Sequence, residues 1–185
     1  MRKKKTTFIL IAAGFFVIAC LLQPAFGDDD DDHFEHRSEH HSEHRERGFT
    51  PTANPVYAEQ CSACHLAYPP GLLPSVSWRN ILGNLPGHNG EEVVIEPASK
   101  ETIAGYLAAN AADKSVWKRS RKILRSLRGA APVRITEVPY IRHKHHEIPA
   151  IVFERESIGS FSNCSACHKT AEQGVFDDDS VKIPE

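Results

Sequence analysis

Cys61-Ser62-Ala63-Cys64-His65 returns unchanged as Cys164-Ser165-Ala166-Cys167-His168. Each copy is a C-x-x-C-H motif, the attachment pattern of a c-type haem. The chemistry requires these residue types at this spacing. Each thiol can form a thioether with a porphyrin vinyl group, and on one helical turn residues i, i+3 and i+4 share a side, so the histidine can reach the iron. Other uses of the same residues fit less well. A zinc ribbon separates its C-x-x-C pairs by about 15 to 20 residues and needs no histidine after each. A thioredoxin-like redox pair calls for a βαβ setting, which the flanking sequence lacks. Disulfides within each pair would leave the repeated histidine without a reason.

The second axial position of each iron follows from composition. The chain of 185 residues contains 11 histidines but one methionine, Met1, so a His/Met pair that would raise the potential cannot form. Bis-histidine ligation remains, with His88, His143, His145 and His146 as candidates, of which two are needed. His88 lies in a Pro-Gly-His-Asn-Gly turn beyond a predicted helix, placed to reach back to the first motif. One histidine of the His143/His145/His146 cluster would serve the second. An iron held by two imidazoles is coordinatively saturated and favours the ferric state, which lowers its potential. These residues point to electron transfer and not to an enzyme. The rival, a dihaem peroxidase, would need one accessible iron.

Working outward, residues 1–27 read as a signal peptide: Arg2 to Lys5 are basic, Phe8 to Leu22 apolar, and Ala25-Phe26-Gly27 a small-x-small cleavage site. The expected location is the periplasm, and Val17-Ile18-Ala19-Cys20 offers lipidation through Cys20 as an alternative. Loss of the signal's four basic residues leaves 18 basic against 24 acidic side chains, a formal charge of -6. Export and acidity disfavour nucleic acid as a partner. Residues 28–50, with five consecutive aspartates and five histidines, form an Asp/His-rich leader expected to be disordered. It is either a solvated tail or a weak binder of metal ions.

The remainder reads as mainly α. Residues 51–113 form a small helical haem domain and residues 114–185 a less regular second haem domain. Asn54-Pro55 starts a helix expected to run to His65. Trp78, Ile81, Leu82 and Leu85 make an apolar stripe, and Ile103, Tyr106, Leu107 and Ala111 another behind a Ser99 cap. A helix is expected from Asp113 to Arg128, with seven basic residues and no acidic one after Asp113. Its charged face is either solvated or a docking patch for an acidic partner or haem carboxylates. Pro132 to Glu156 suggests irregular chain with short strands, and Asn163 to Gln173 a last helix.

The chain also resembles the dihaem cytochrome c family of bacterial periplasmic proteins. The resemblance runs from about Tyr57 to Pro184. It is carried by Glu59 to Pro74, by Ser77-Trp78, by Tyr106-Leu107 with Asn110 to Asp113, by Arg134 to Glu137, by His145 to Pro149, and by Asn163 to His168 with Ala171 to Gly174. It implies a cytochrome c-like N-terminal domain, a less regular C-terminal one, and two covalently attached haem c groups. Cys61, Cys64, Cys164 and Cys167 would attach them, His65 and His168 would be proximal ligands, and His88 and His145 distal ones. The implied partners are redox proteins: an oxygen-binding monohaem cytochrome c and a donor at the membrane.

Overall fold

Asn54 caps the first helix, α1 (Pro55–Cys61), through its side-chain oxygen, which accepts from the Tyr57 amide at 2.9 Å, and Pro55 occupies the first turn. The computed structural model describes residues 48–185; the signal, Cys20 and the leader up to Arg47 lie outside them. Helix α1 stops at Cys61, short of the predicted His65. The chain turns there because Ala67, Pro69 and Pro70 are buried beneath it, and the Tyr57 hydroxyl donates to the Tyr68 carbonyl at 2.8 Å.

Helix α2 (Ser75–Gly83) buries Trp78 and Leu82 and leads through a 3-10 turn (Leu85–Gly87) to His88. The Trp78 indole donates to the Pro70 carbonyl at 2.8 Å, satisfying a buried N–H. Helix α3 (Pro97–Asn110) starts two residues before the expected Ser99 cap, with Pro97 in its first turn, and buries Ile103 and Leu107. It packs against both α1 and α2.

The helix expected from Asp113 is divided. A 3-10 turn (Ala112–Lys114) and an extended link precede α4 (Lys118–Leu127). The division has a tertiary cause: the Asp113 carboxylate is engaged by Ser75 at the start of α2, and the Trp117 indole donates to Thr50 at 3.0 Å. Helix α4 crosses the turn at Pro70–Leu72, where the buried Ser120 hydroxyl donates to the Gly71 carbonyl at 3.0 Å. The approach favours glycine, since a Cβ on Gly71 would lie 2.9 Å from Ser120 Oγ and 3.0 Å from Phe49 Cδ1, so that a neighbour would have to shift. Lys118, Arg121 and Arg125 face solvent, whereas Arg119 turns inward.

Between Pro132 and Glu156 the expected strands are replaced by α5 (Pro139–Lys144) and α6 (Ala150–Phe153). Pro139 and Pro149 begin helices here instead of interrupting extended chain. No strand occurs among the described residues; two isolated bridges, His88 with Glu91 and His168 with Val181, are the extended pairings. The last predicted helix is a single turn, α7 (Cys164–Cys167), followed by a 3-10 turn (Ala171–Gln173).

Leu73, Ile103, Ile123 and Val138 are fully buried, each stabilising the fold by about 1.5–3 kcal/mol relative to exposure. The two ends of the described chain are tied together: the Phe49 amide donates to the Gly174 carbonyl at 2.8 Å. Gly174 has φ +73°, and a Cβ on it would meet the Phe49 carbonyl oxygen at 2.6 Å. The architecture is thus mainly α, with short helices joined by proline-rich turns.

Candidate functional site

The first motif occupies the end of α1 and the turn after it. Cys61 is the last helical residue, Cys64 is exposed, and His65 is half-buried. The His65 ring faces that of His88, with centroids 6.0 Å apart and planes at 36°. His65 Nδ1 lies 2.8 Å from the Leu66 carbonyl. A carbonyl can only accept, so Nδ1 carries the proton and Nε2 is left bare for a metal.

The second motif places both cysteines on α7 and His168 just past its end. Here the His168 ring faces His145, again with centroids 6.0 Å apart, at 76°. His145 Nδ1 lies 2.8 Å from the Ile141 carbonyl at the foot of α5, which leaves its Nε2 bare in the same way. Of the neighbouring histidines, His143 and His146 stack on each other with centroids 5.1 Å apart. His168 Nδ1 is buried without a hydrogen-bond partner.

The spacing of both pairs has a chemical meaning. Two metal–nitrogen bonds of about 2 Å, plus the half-ring behind each nitrogen, add up to about 6 Å between ring centres. The separation of each pair matches the span of one metal ion between two imidazoles. Among the described residues no group of three or more His, Cys, Asp or Glu gathers round a common point. Two protein ligands are too few for zinc, which takes four, but suffice for an iron whose other positions belong to a porphyrin.

The surroundings of the second pair suit such a group. A cavity of ≈ 140 Å³ opens there, smaller than the about 300–1,000 Å³ usual for cofactor pockets, so its lining and not its size marks the place. Cys164 and Cys167 are in its wall with Phe153, Phe161 and Phe176. Phe161 packs edge-on to His145 at 5.2 Å and Phe176 edge-on to His168 at 5.4 Å. Arg119 and Lys144 are its cationic residues. Arg119 donates to the Phe176 carbonyl at 2.7 Å and pairs with Asp177 at 3.3 Å, tying the C-terminal segment to α4.

None of the four described cysteines is paired in a disulfide. Burial pushes Cys61 and Cys164 up to about 11 and raises Cys167 as well. Thiol–disulfide catalysts need the reverse, a depressed thiol that is ionised near neutrality. Burial, and then the facing imidazole, lowers the basicity of His88 and His168, which keeps these rings neutral as metal ligands must be.

The sequence grouped Arg119 with the basic face of its helix and expected Phe153 to be buried, but it gave no site role to Phe161, to Phe176, or to Tyr68, which stacks on His65 with centroids 5.0 Å apart. Phe153 and Phe161 stand 8 and 16 residues from His145 in sequence. No periodicity links such positions.

Residues 57–176 match the family model for dihaem cytochrome c. No curated protein sequence is matched. Among solved structures, a diheme cytochrome c from Rhodobacter sphaeroides is 42% identical, with a TM-score of 0.61, covering 69% of this chain and 99% of its own. A diheme cytochrome type c from Shewanella baltica is 37% identical, with a TM-score of 0.58, covering 71% of this chain and 93% of its own.

Proposed function

Because the chain belongs to the dihaem cytochrome c family, with two covalently bound haem c groups and a role in electron transfer, we propose that it works through two low-potential, bis-histidine sites and is a carrier, not an enzyme. When bound, each haem supplies a one-electron ferric/ferrous couple. Cys61 and Cys64 anchor the first and Cys164 and Cys167 the second. His65 with His88, and His168 with His145, would hold the two irons. The observation that carries this reading is the repeated 6.0 Å separation of facing imidazoles, each pair built from one motif histidine and one distant histidine. Saturated irons leave no position for a substrate, which disfavours the peroxidase alternative.

The protein acts, on this reading, in the periplasm, taking electrons from a membrane-bound donor and passing them to a c-type haem partner, an oxygen-binding monohaem cytochrome c. The apparent N-terminal signal and the family resemblance support that setting. Among the described residues no helix is long and apolar enough to cross a membrane.

Carbon monoxide titration of the reduced protein tests the ligation. The native chain should bind none and show low-spin spectra. His88→Ala and His145→Ala should each open one iron, giving one carbon monoxide per chain, and the double variant two. His143→Ala and His146→Ala should open neither. Stoichiometric binding by the native protein would overturn the reading.

A further inference from the structure

Tyr68 touches both sites at once. Its ring stacks on His65 with centroids 5.0 Å apart and planes at 27°. Its hydroxyl donates to the Ser162 carbonyl at 2.6 Å. That same carbonyl accepts the amide of Cys164 at 3.0 Å, and Tyr68 is also part of the second cavity's wall. A continuous path therefore runs from the imidazole of the first motif, through one aromatic ring and two hydrogen bonds on one oxygen, to an attachment cysteine of the second.

The path is held from several sides. The Tyr57 hydroxyl bonds the Tyr68 carbonyl at 2.8 Å, and the Thr52 hydroxyl bonds the Ala67 carbonyl at 3.1 Å. Pro69 and Pro70, both buried, restrict the backbone that follows. Tyr57 is itself buried against Tyr106, with ring centroids 5.5 Å apart. A tyrosine placed only for packing would not need its hydroxyl directed, over 94 residues of sequence, at the loop before the second motif.

We infer that Tyr68 is the coupling residue between the two redox sites, a positioning and electronic bridge through which they exchange electrons. The inference deepens the proposed function and rests on its two-haem reading. In the step concerned, one electron leaves a ferrous iron and reduces the ferric iron of the other site. Tyr68 is neither oxidised nor deprotonated in it. Its contribution is the stacked ring and the hydrogen bond that keep the intervening gap filled by packed and bonded atoms.

The test is the rate of exchange between the two haems of the full haem-loaded protein after flash photoreduction. It is measured in the native chain, in Tyr68→Phe and in Tyr68→Leu. The reduction potential of each site is determined in every variant, so that rates are compared at equal driving force. Tyr68→Leu, which removes ring and hydroxyl, should slow exchange by about tenfold or more, equivalent to about 1.4 kcal/mol on the barrier. Tyr68→Phe keeps the stack and loses the bridge to Ser162, and should fall between the two. Should the leucine variant not fold, the phenylalanine variant decides alone. Two low-spin haems with native exchange in the folded variants overturn this inference and leave the functional reading standing. A native chain that holds fewer than two haems overturns both.

Discussion

Asp113 is the residue whose replacement most directly tests how the first site is supported. Its carboxylate accepts the Ser75 amide at 2.6 Å and the single proton of the Ser75 hydroxyl, which lies 2.7 and 2.6 Å from the two oxygens. Ser75 opens α2, the helix that leads to His88, and the preceding Pro74 provides no capping side chain. Asp113 therefore caps α2 from a distant part of the chain. Asp113→Asn keeps the shape and one acceptor but removes the charge. Buried bonds to a charged group are worth about 1.5–3 kcal/mol and a helix-dipole interaction about 0.3–1 kcal/mol. Because Asp113 itself is exposed, solvent screening reduces the expected loss to about 1–2 kcal/mol at pH 7.

The pH dependence makes that prediction specific. Burial alone would raise the Asp113 pKa, but the Ser75 hydrogen bonds override it and hold the carboxyl below its ordinary value. A depressed carboxylate contributes stability that is fully present above the unfolded pKa of about 3.9 and is lost as pH falls through the folded value. The gap between native protein and variant should thus be constant near neutrality and close below about pH 3.9. Urea unfolding followed by far-UV circular dichroism and by haem absorbance, at a series of pH values, measures it. No gap at pH 7, or one that persists undiminished to about pH 2.5, would refute the capping argument.

Two further substitutions test the packing around the sites. Gly71→Ala forces a methyl against Ser120 Oγ and the Phe49 ring, and should cost about 1–3 kcal/mol in denaturant unfolding; native stability would show that the α4 crossing can relax. Ser77 is fully buried and its hydroxyl has no partner, so Ser77→Ala should be neutral or stabilising by up to about 1 kcal/mol. A marked loss of stability would reveal that this hydroxyl is satisfied.

Chemistry that depends on residue type and short spacing was legible in one dimension. The two C-x-x-C-H motifs, the absence of methionine after Met1 and the Asn54-Pro55 helix start need only local geometry, and they suffice for the mainly α class and the covalent haem pattern. Apolar stripes such as Trp78 with Leu82, and Ile103 with Leu107, work equally well, because a helix face is periodic along the chain. Boundaries were less legible where distant partners set them. Helix α1 stops at Cys61 because Tyr57 binds the carbonyl of Tyr68, and the segment from Asp113 breaks where Ser75 and Thr50 claim its residues. Around Pro139 and Pro149 the signal itself was ambiguous, since a proline can equally end extended chain or begin a helix. Residue spacing left His143, His145 and His146 open, and the family resemblance alone singled out His145. Only the folded chain sets the His145 ring opposite that of His168 and brings Ser162 to the Tyr68 hydroxyl, because both are contacts between residues far apart in sequence that residue order does not encode.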